Sequence, residues 1–259
     1  MLLLTLAVAI KSIASGVLVG FTLGIIGGGG SILAVPLLVY FVGYQRHPHT
    51  AIGTTAVAVA VNALIAAVPH IRAKTVQFRT GIYFALAGIL GAALGSRLGL
   101  MVQGGRLLLF FALLMIVISV LMWRKGRQRA PQEQEGSPSR FSFPRVLGTG
   151  FGAGAASGFF GIGGGFLIVP GLIFSAGLST LAAVGTSLLS VFAFGATTAV
   201  QYALAGKVDV PVALLFILGG VLGGFLGAAS GRRIGSSRLS LIFSAVLVVV
   251  ALYMILKQI

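Results

Sequence analysis

The chain has no cysteine, and among its 259 residues only Glu133, Glu135 and Asp209 carry a carboxylate side chain. Without thiols there is no disulfide framework, no thiol nucleophile and no zinc–thiolate site. Without buried acids there is no carboxylate pair for acid–base catalysis or for lining a cation path. Charge of any sign is scarce: 8% of residues are charged, against roughly 25% in soluble domains. Hydrophobic residues make up 58% and the mean hydropathy is +1.10, so a polytopic membrane protein is the class that fits. The formal charge of +15 does not point to nucleic acid, because no soluble basic domain is present to hold a duplex. It fits loop lysines and arginines distributed by the positive-inside rule. Met1-Leu2-Leu3-Leu4 lacks the basic region of a signal peptide, so the first apolar segment is expected to remain as a transmembrane helix.

What the sequence has in abundance is glycine and long apolar runs. Apolar segments cover 2–23, 31–43, 50–69, 81–99 and 107–123, and after a polar stretch they resume at 146–160, 165–177, 182–204, 210–230 and 237–256. A spanning helix needs about 20 residues, so the second segment of each half is expected to be a half-helix or a re-entrant piece. The stretch between, 124–145, is basic, contains Pro131 and Pro138, and has no apolar periodicity. It reads as a cytoplasmic linker between an N-terminal membrane repeat (1–123) and a C-terminal one (146–259).

The halves repeat each other. Gly27-Gly28-Gly29-Gly30-Ser31-Ile32-Leu33-Ala34-Val35-Pro36 returns as Gly161-Ile162-Gly163-Gly164-Gly165-Phe166-Leu167-Ile168-Val169-Pro170. Gly53-Thr54-Thr55 returns as Gly185-Thr186-Ser187, and Arg106-Leu107 as Arg238-Leu239. Gly88, Gly91 and Gly95 match Gly220, Gly223 and Gly227, small residues at spacings that let membrane helices approach closely. If all five segments of each half cross, Arg72, Lys74, Arg79, the linker bases, Arg232, Arg233 and Arg238 fall on one side, and Arg46, Arg97, Arg106, Lys207 and Lys257 on the other. The basic loop precedes the fourth segment in one half and follows it in the other, which favours inverted halves over parallel ones. The expectation is an all-α polytopic membrane protein of two homologous halves. Each has about five segments, one of them short or broken, giving eight to ten in total.

No enzyme constellation stands out, and the glycine runs are not nucleotide fingerprints because neither follows a strand in a βαβ unit. Broken helices in matching halves point instead to a transporter site. With Ser31 and Gly165 read as the first residues of the short helices, the runs would aim unpaired amides and helix dipoles inward, a setting for an anion. Gly29, Gly30, Ser31, Gly163, Gly164 and Gly165 are therefore candidate ligands, alongside the hydroxyls of Thr54, Thr55, Thr186 and Ser187. The competing structural reading is that the glycines let a turn fit between neighbours and the hydroxyls bond back to their own helices. A second tier comprises Lys11, inside the first apolar segment; Asn62 and Gln201 on the third segments; His70 beside Pro69; and Asp209 at a segment boundary. No cofactor and no metal is implied.

At the duplicated glycine-run/Pro element and the Gly-Thr-Ser/Thr element, the chain resembles the TauE/SafE sulfite exporter family, also called the 4-toluene sulfonate uptake permease family. Gly158-Phe159-Phe160-Gly161-Ile162-Gly163-Gly164-Gly165, ending at Pro170, carries the resemblance most clearly, and Ile25-Ile26-Gly27-Gly28-Gly29-Gly30 departs from it slightly. The resemblance implies secondary transport, in the export direction, of sulfite, an organosulfonate or a related sulfur-containing or organic anion across the inner membrane. Alternating access between the halves is its implied mechanism, with the proton as a candidate coupling ion and a homo-oligomer as a candidate assembly. A passive anion channel would use the same amides, and a non-transporting scaffold would explain the close-packing glycines but not the matched half-helices.

Overall fold

The computed structural model describes residues 6–127, 142–163, 165–231 and 236–257. Among these residues are ten helices and no strand. The first half forms α1 (Leu6–Ile26), α2 (Gly27–Val42), α3 (Pro48–Arg72), α4 (Phe78–Met101) and α5 (Gly104–Arg127). The second forms α6 (Phe143–Phe160), α7 (Gly165–Ala176), α8 (Thr180–Leu204), α9 (Val210–Gly231) and α10 (Ser236–Leu256). Six of them (α1, α3, α4, α5, α8 and α9) are long and apolar enough to cross a membrane. The polytopic all-helical expectation therefore holds, while most of the linker, with Glu133 and Glu135, lies outside the described residues.

The short segments fall where expected but are wound differently. Helix α7 has twelve residues and rises about 18 Å at 1.5 Å per residue, short of a hydrocarbon core of about 30 Å. Helix α2 begins at Gly27 rather than Ser31. The glycine run winds as a 3-10 helix through Leu33, a single α turn spans Ala34–Pro36, and π-type turns follow over Leu37–Val42. Pro36 has no N–H to continue the ladder, and the winding loosens beyond it.

The lengthwise glycine spacing has a visible purpose on α4 and α9. On α4, Leu86, Leu90, Leu94 and Leu98 are exposed along one stripe, as lipid-facing residues are, while Gly88, Gly91, Gly95 and Gly99 are buried on the other. A Cβ on Gly91 would strike the carbonyl of Phe151, and one on Gly95 that of Ala155. On α9, Leu214, Leu218, Leu222 and Leu226 are exposed, and Gly219 and Gly223 press on the carbonyls of Ile13 and Val17. Each half thus lends its first helix to the fourth helix of the other: α1 lies along α9, and α6 along α4.

Matched contacts give the directions of the helices. Gly219 meets Ile13 and Gly227 meets Phe21, so α1 and α9 run the same way. Gly91 meets Phe151 and Gly99 meets Phe159, so α4 and α6 also run together. Gly53 lies on Tyr202 and Gly185 on His70, so α3 and α8, which pack on each other, run oppositely. Asn62 sits on Gly220 and Phe194 on Gly88, placing α3 with α9 and α8 with α4. One set (α1, α3, α9) therefore points one way and the other (α4, α6, α8) points back.

Candidate functional site

The two glycine turns are backbone devices before they are anything else. Gly27 has φ +71° and Gly161 φ +69°, a left-handed conformation that disfavours any residue with a Cβ. At Gly161 the turn ends α6, its N–H donating to the carbonyl of Ser157. Each turn is also closed on a residue of the opposite half. A Cβ on Gly27 would meet Val184 Cγ1 at 2.7 Å, and one on Gly161 would strike Ile52 Cγ2. Val184 and Ile52 occupy equivalent positions in the repeat. Gly163 (φ +69°) reaches further in, against Val59 Cγ1 and Val191 Cγ1 at 3.0 and 3.2 Å from a built Cβ. These two valines are also equivalent, and each lies near the midpoint of its helix.

The first turns of α2 pack against α7 and α8. Gly27 to Leu33 are all buried. Helix α1 runs unbroken into this 3-10 segment, in which each N–H pairs with the carbonyl three residues back. The last turn of α1 therefore stands behind the amides of Gly27 to Gly29, and Ser31 is not a helix start. Gly29, Gly30 and Ser31 all fall inside the paired turns. The carbonyl of Gly30 accepts from Thr22 Oγ1 at 3.2 Å, and Ser31 Oγ donates to the carbonyl of Gly28 at 2.9 Å. Gly164 is outside the described residues, and Gly165 opens α7.

The four candidate hydroxyls divide into two kinds. Thr55 Oγ1 donates to the carbonyls of Ala51 and Ile52 at 2.8 and 3.0 Å, and Ser187 Oγ to that of Val184 at 2.7 Å. Their protons are used within their own helices. Thr54 Oγ1 instead accepts the backbone N–H of Asp209 at 2.9 Å, and Thr186 Oγ1 accepts that of Gln77 at 2.9 Å. Gln77 and Asp209 stand just before α4 and α9, so each threonine ties the start of a helix in the other half. A hydroxyl has one proton and two lone pairs, and these bonds use a lone pair. Both threonines are fully buried and keep a proton to give.

The second-tier candidates scatter. Lys11 is exposed on α1 with its ammonium 5.7 Å from the centre of the Phe41 ring, away from the interior. Gln201 is half-buried on α8. His70 ends α3, with Thr75 Oγ1 bonded to its carbonyl at 3.1 Å. Asn62 is 4% exposed with both amide atoms unpaired, close on Gly220. Asp209 accepts the hydroxyl proton of Tyr44 at Oδ2 (2.5 Å) and the N–H of Val212 at Oδ1 (3.2 Å), closing the first turn of α9. Burial first, and the hydrogen bond to Asp209 second, push the Tyr44 hydroxyl above its usual pKa.

The sequence reading missed Tyr44, His49, Ser157 and Ser190. Ser157, Ser190 and Thr198 are fully buried with unpaired hydroxyls, and His49 has a buried, unpaired Nδ1. Single serines in an apolar helix show no spacing that separates a lining group from a packed one.

A family profile described as sulfite exporter TauE/SafE matches residues 12–254. A "Probable membrane transporter protein" of Xylella fastidiosa is 46% identical over 257 residues, covering 98% of both chains. The "Probable membrane transporter protein YunE" of Bacillus subtilis is 28% identical, covering 94% of this chain and 96% of its own. A similarly named protein of Methanocaldococcus jannaschii is 26% identical over 93% and 94% of the two chains. No solved structure matches the chain. With the profile covering nearly its whole length, the chain belongs to the TauE/SafE sulfite exporter family and is a multi-pass membrane transporter.

Proposed function

We propose that this transporter is a secondary exporter of sulfite, an organosulfonate or a related small sulfur-containing or organic anion across the inner membrane. The observation that carries the reading is the packing of the first turns of α2 against α7 and α8, with Gly163 set against the midpoints of α3 and α8. Thr54 and Thr186 stand near the starts of those two helices, toward opposite ends of the bundle. Both hydroxyls keep a proton, and an anion with several oxygens accepts from hydroxyls and from the first amides of α7 without a buried cation to hold it too tightly. The single carboxylate side chain among the described residues, Asp209, stands at the start of α9 with both oxygens engaged. Membership in a transporter family supports a non-enzymatic role.

The helix directions support two halves related by inversion, since equivalent helices point oppositely: α1 and α6, α3 and α8, α4 and α9. They also refine the alternating-access expectation. Because first helices are exchanged between halves, the bodies that rock would be α1–α3–α9 and α4–α6–α8, sliding along the α3–α8 seam, rather than residues 1–123 against 146–259.

The test is sulfite and alkylsulfonate flux in proteoliposomes together with ligand-induced thermal shift. Thr54→Val with Thr186→Val should weaken anion binding by about 1–3 kcal/mol through lost donors. Gly163→Val should remove binding, because a β-branched side chain has no room between Val59 and Val191. If these variants fold and keep wild-type affinity for every anion tried, the anion does not bind at these groups.

A further inference from the structure

A cavity lies at the end of the bundle that carries the α2–α3 loop. It encloses about 1010 Å³ and is lined by Gln45, Arg46, His49, Gln103, Arg106 and Lys257 among its polar residues. These come from four places in the chain: the α2–α3 loop, the first turn of α3, the start of α5 and the residue after α10. Among the described residues no carboxylate lines it. Asp209, the one acid side chain among the described residues, is bound to Tyr44 and to the first turn of α9. His49 Nε2 faces the carbonyl of Val102 at 3.1 Å, and its Nδ1 has no protein partner.

Three cations converging on one concavity, with no acidic side chain among the described residues to balance them, is an unusual arrangement in a chain with so few charges. A concave wall of one sign focuses its field and raises the local concentration of the opposite ion. Two guanidinium forks suit a group with paired oxygens, and Gly104 and Gly105 at the start of α5 leave backbone N–H groups beside them. We infer that this cavity is a vestibular binding site for a small oxoanion, separate from the interior site. A free sulfur or phosphorus oxoanion and the phosphate of an anionic lipid share that chemistry. The vestibule deepens the transport reading and rests on it for its purpose, as the outer station of the same path; its anion binding can be measured on its own.

Because the chain has no cysteine, Gln103→Cys places a single reporter thiol in the cavity wall. In nanodiscs of neutral phosphatidylcholine, its modification by an anionic methanethiosulfonate should outpace that by a cationic one. The ratio should be about tenfold higher than in the same chain carrying Arg46→Gln, Arg106→Gln and Lys257→Gln. Sulfate should slow the anionic reaction beyond a chloride control of equal ionic strength, and the neutralised chain should lose that protection. Arg46→Lys with Arg106→Lys keeps the charge and should keep the rate ratio, which separates lost charge from lost fold. Nanodiscs containing phosphatidylglycerol divide the two sources. Slow labelling that sulfate no longer affects assigns the site to a lipid phosphate, and protection unchanged from neutral lipid assigns it to a free anion. An unchanged rate ratio on neutralisation, or no protection by sulfate or anionic lipid, overturns the inference. Protection that persists where sulfite and sulfonate flux is absent overturns the transport reading and leaves the site standing.

Discussion

Asp209 holds three pieces of chain together at one end of the bundle: its carboxylate takes the Tyr44 hydroxyl and the Val212 N–H, and its own N–H goes to Thr54. Its counterpart Gln77 repeats only the last of these bonds, to Thr186, so the acid adds an asymmetric clip to a symmetric tie. Asp209→Ala should cost about 0.5–2 kcal/mol from the lost helix cap. Asp209→Asn keeps an acceptor for Val212 and should reduce transport without abolishing it; loss of transport in a normally folded Asn variant would assign the carboxylate a direct role. Tyr44 supplies a pH signature. Its pKa is raised from 10.0 in the folded protein, so between pH 10 and the raised value the unfolded chain has lost a proton that the folded one keeps. The stability contributed by the neutral hydroxyl is whole below pH 10 and declines as pH rises above it. The melting temperature of wild type minus that of Tyr44→Phe should therefore shrink above pH 10 and stay level below it.

At the scale of the element, a glycine matters through what its missing side chain would touch. Gly91 on α4 faces the Phe151 carbonyl, whereas Gly152 on α6 faces open space. Gly91→Val should separate α4 from α6 and destabilise by about 1–3 kcal/mol or more, as overpacking does. Gly152→Ala should be neutral or gain about 0.5–1 kcal/mol from helix propensity. Thermal unfolding in detergent compares them directly, and equal effects would mean that the α4–α6 interface does not depend on its glycines. The same contrast explains why composition alone misleads here: both residues lie in glycine-rich helices, and only the neighbouring helix distinguishes them.

For the whole molecule, alternation of ten segments puts the α2–α3, α4–α5 and α8–α9 loops at one end and the α3–α4 loop and linker at the other. Arg46, Arg106 and Lys257, which five crossing segments in each half would put on one side, line one cavity. With the more basic end cytoplasmic, single cysteines replacing Gln45 and Gln103 should react with an impermeant reagent outside intact cells. Lys74→Cys and Ser142→Cys should react only after permeabilisation. Labelling of Gln103→Cys and Lys74→Cys from the same side would exclude the proposed inverted arrangement.

The sequence by itself determined the class, the helical content and the repeat, because these rest on hydropathy and on residues whose offsets can be counted. It also picked out the turns at Gly27 and Gly161, since only glycine suits the backbone there. The exchange of first helices between the halves was decided by tertiary structure alone. That pairing depends on which carbonyl faces which glycine across two halves of similar apolarity, and nothing in linear order distinguishes a helix's own half from its twin. The same holds for Thr54 and Thr186: a threonine that bonds its own helix and one that ties a distant helix start are spelled identically, and only the folded geometry shows which proton is left to give.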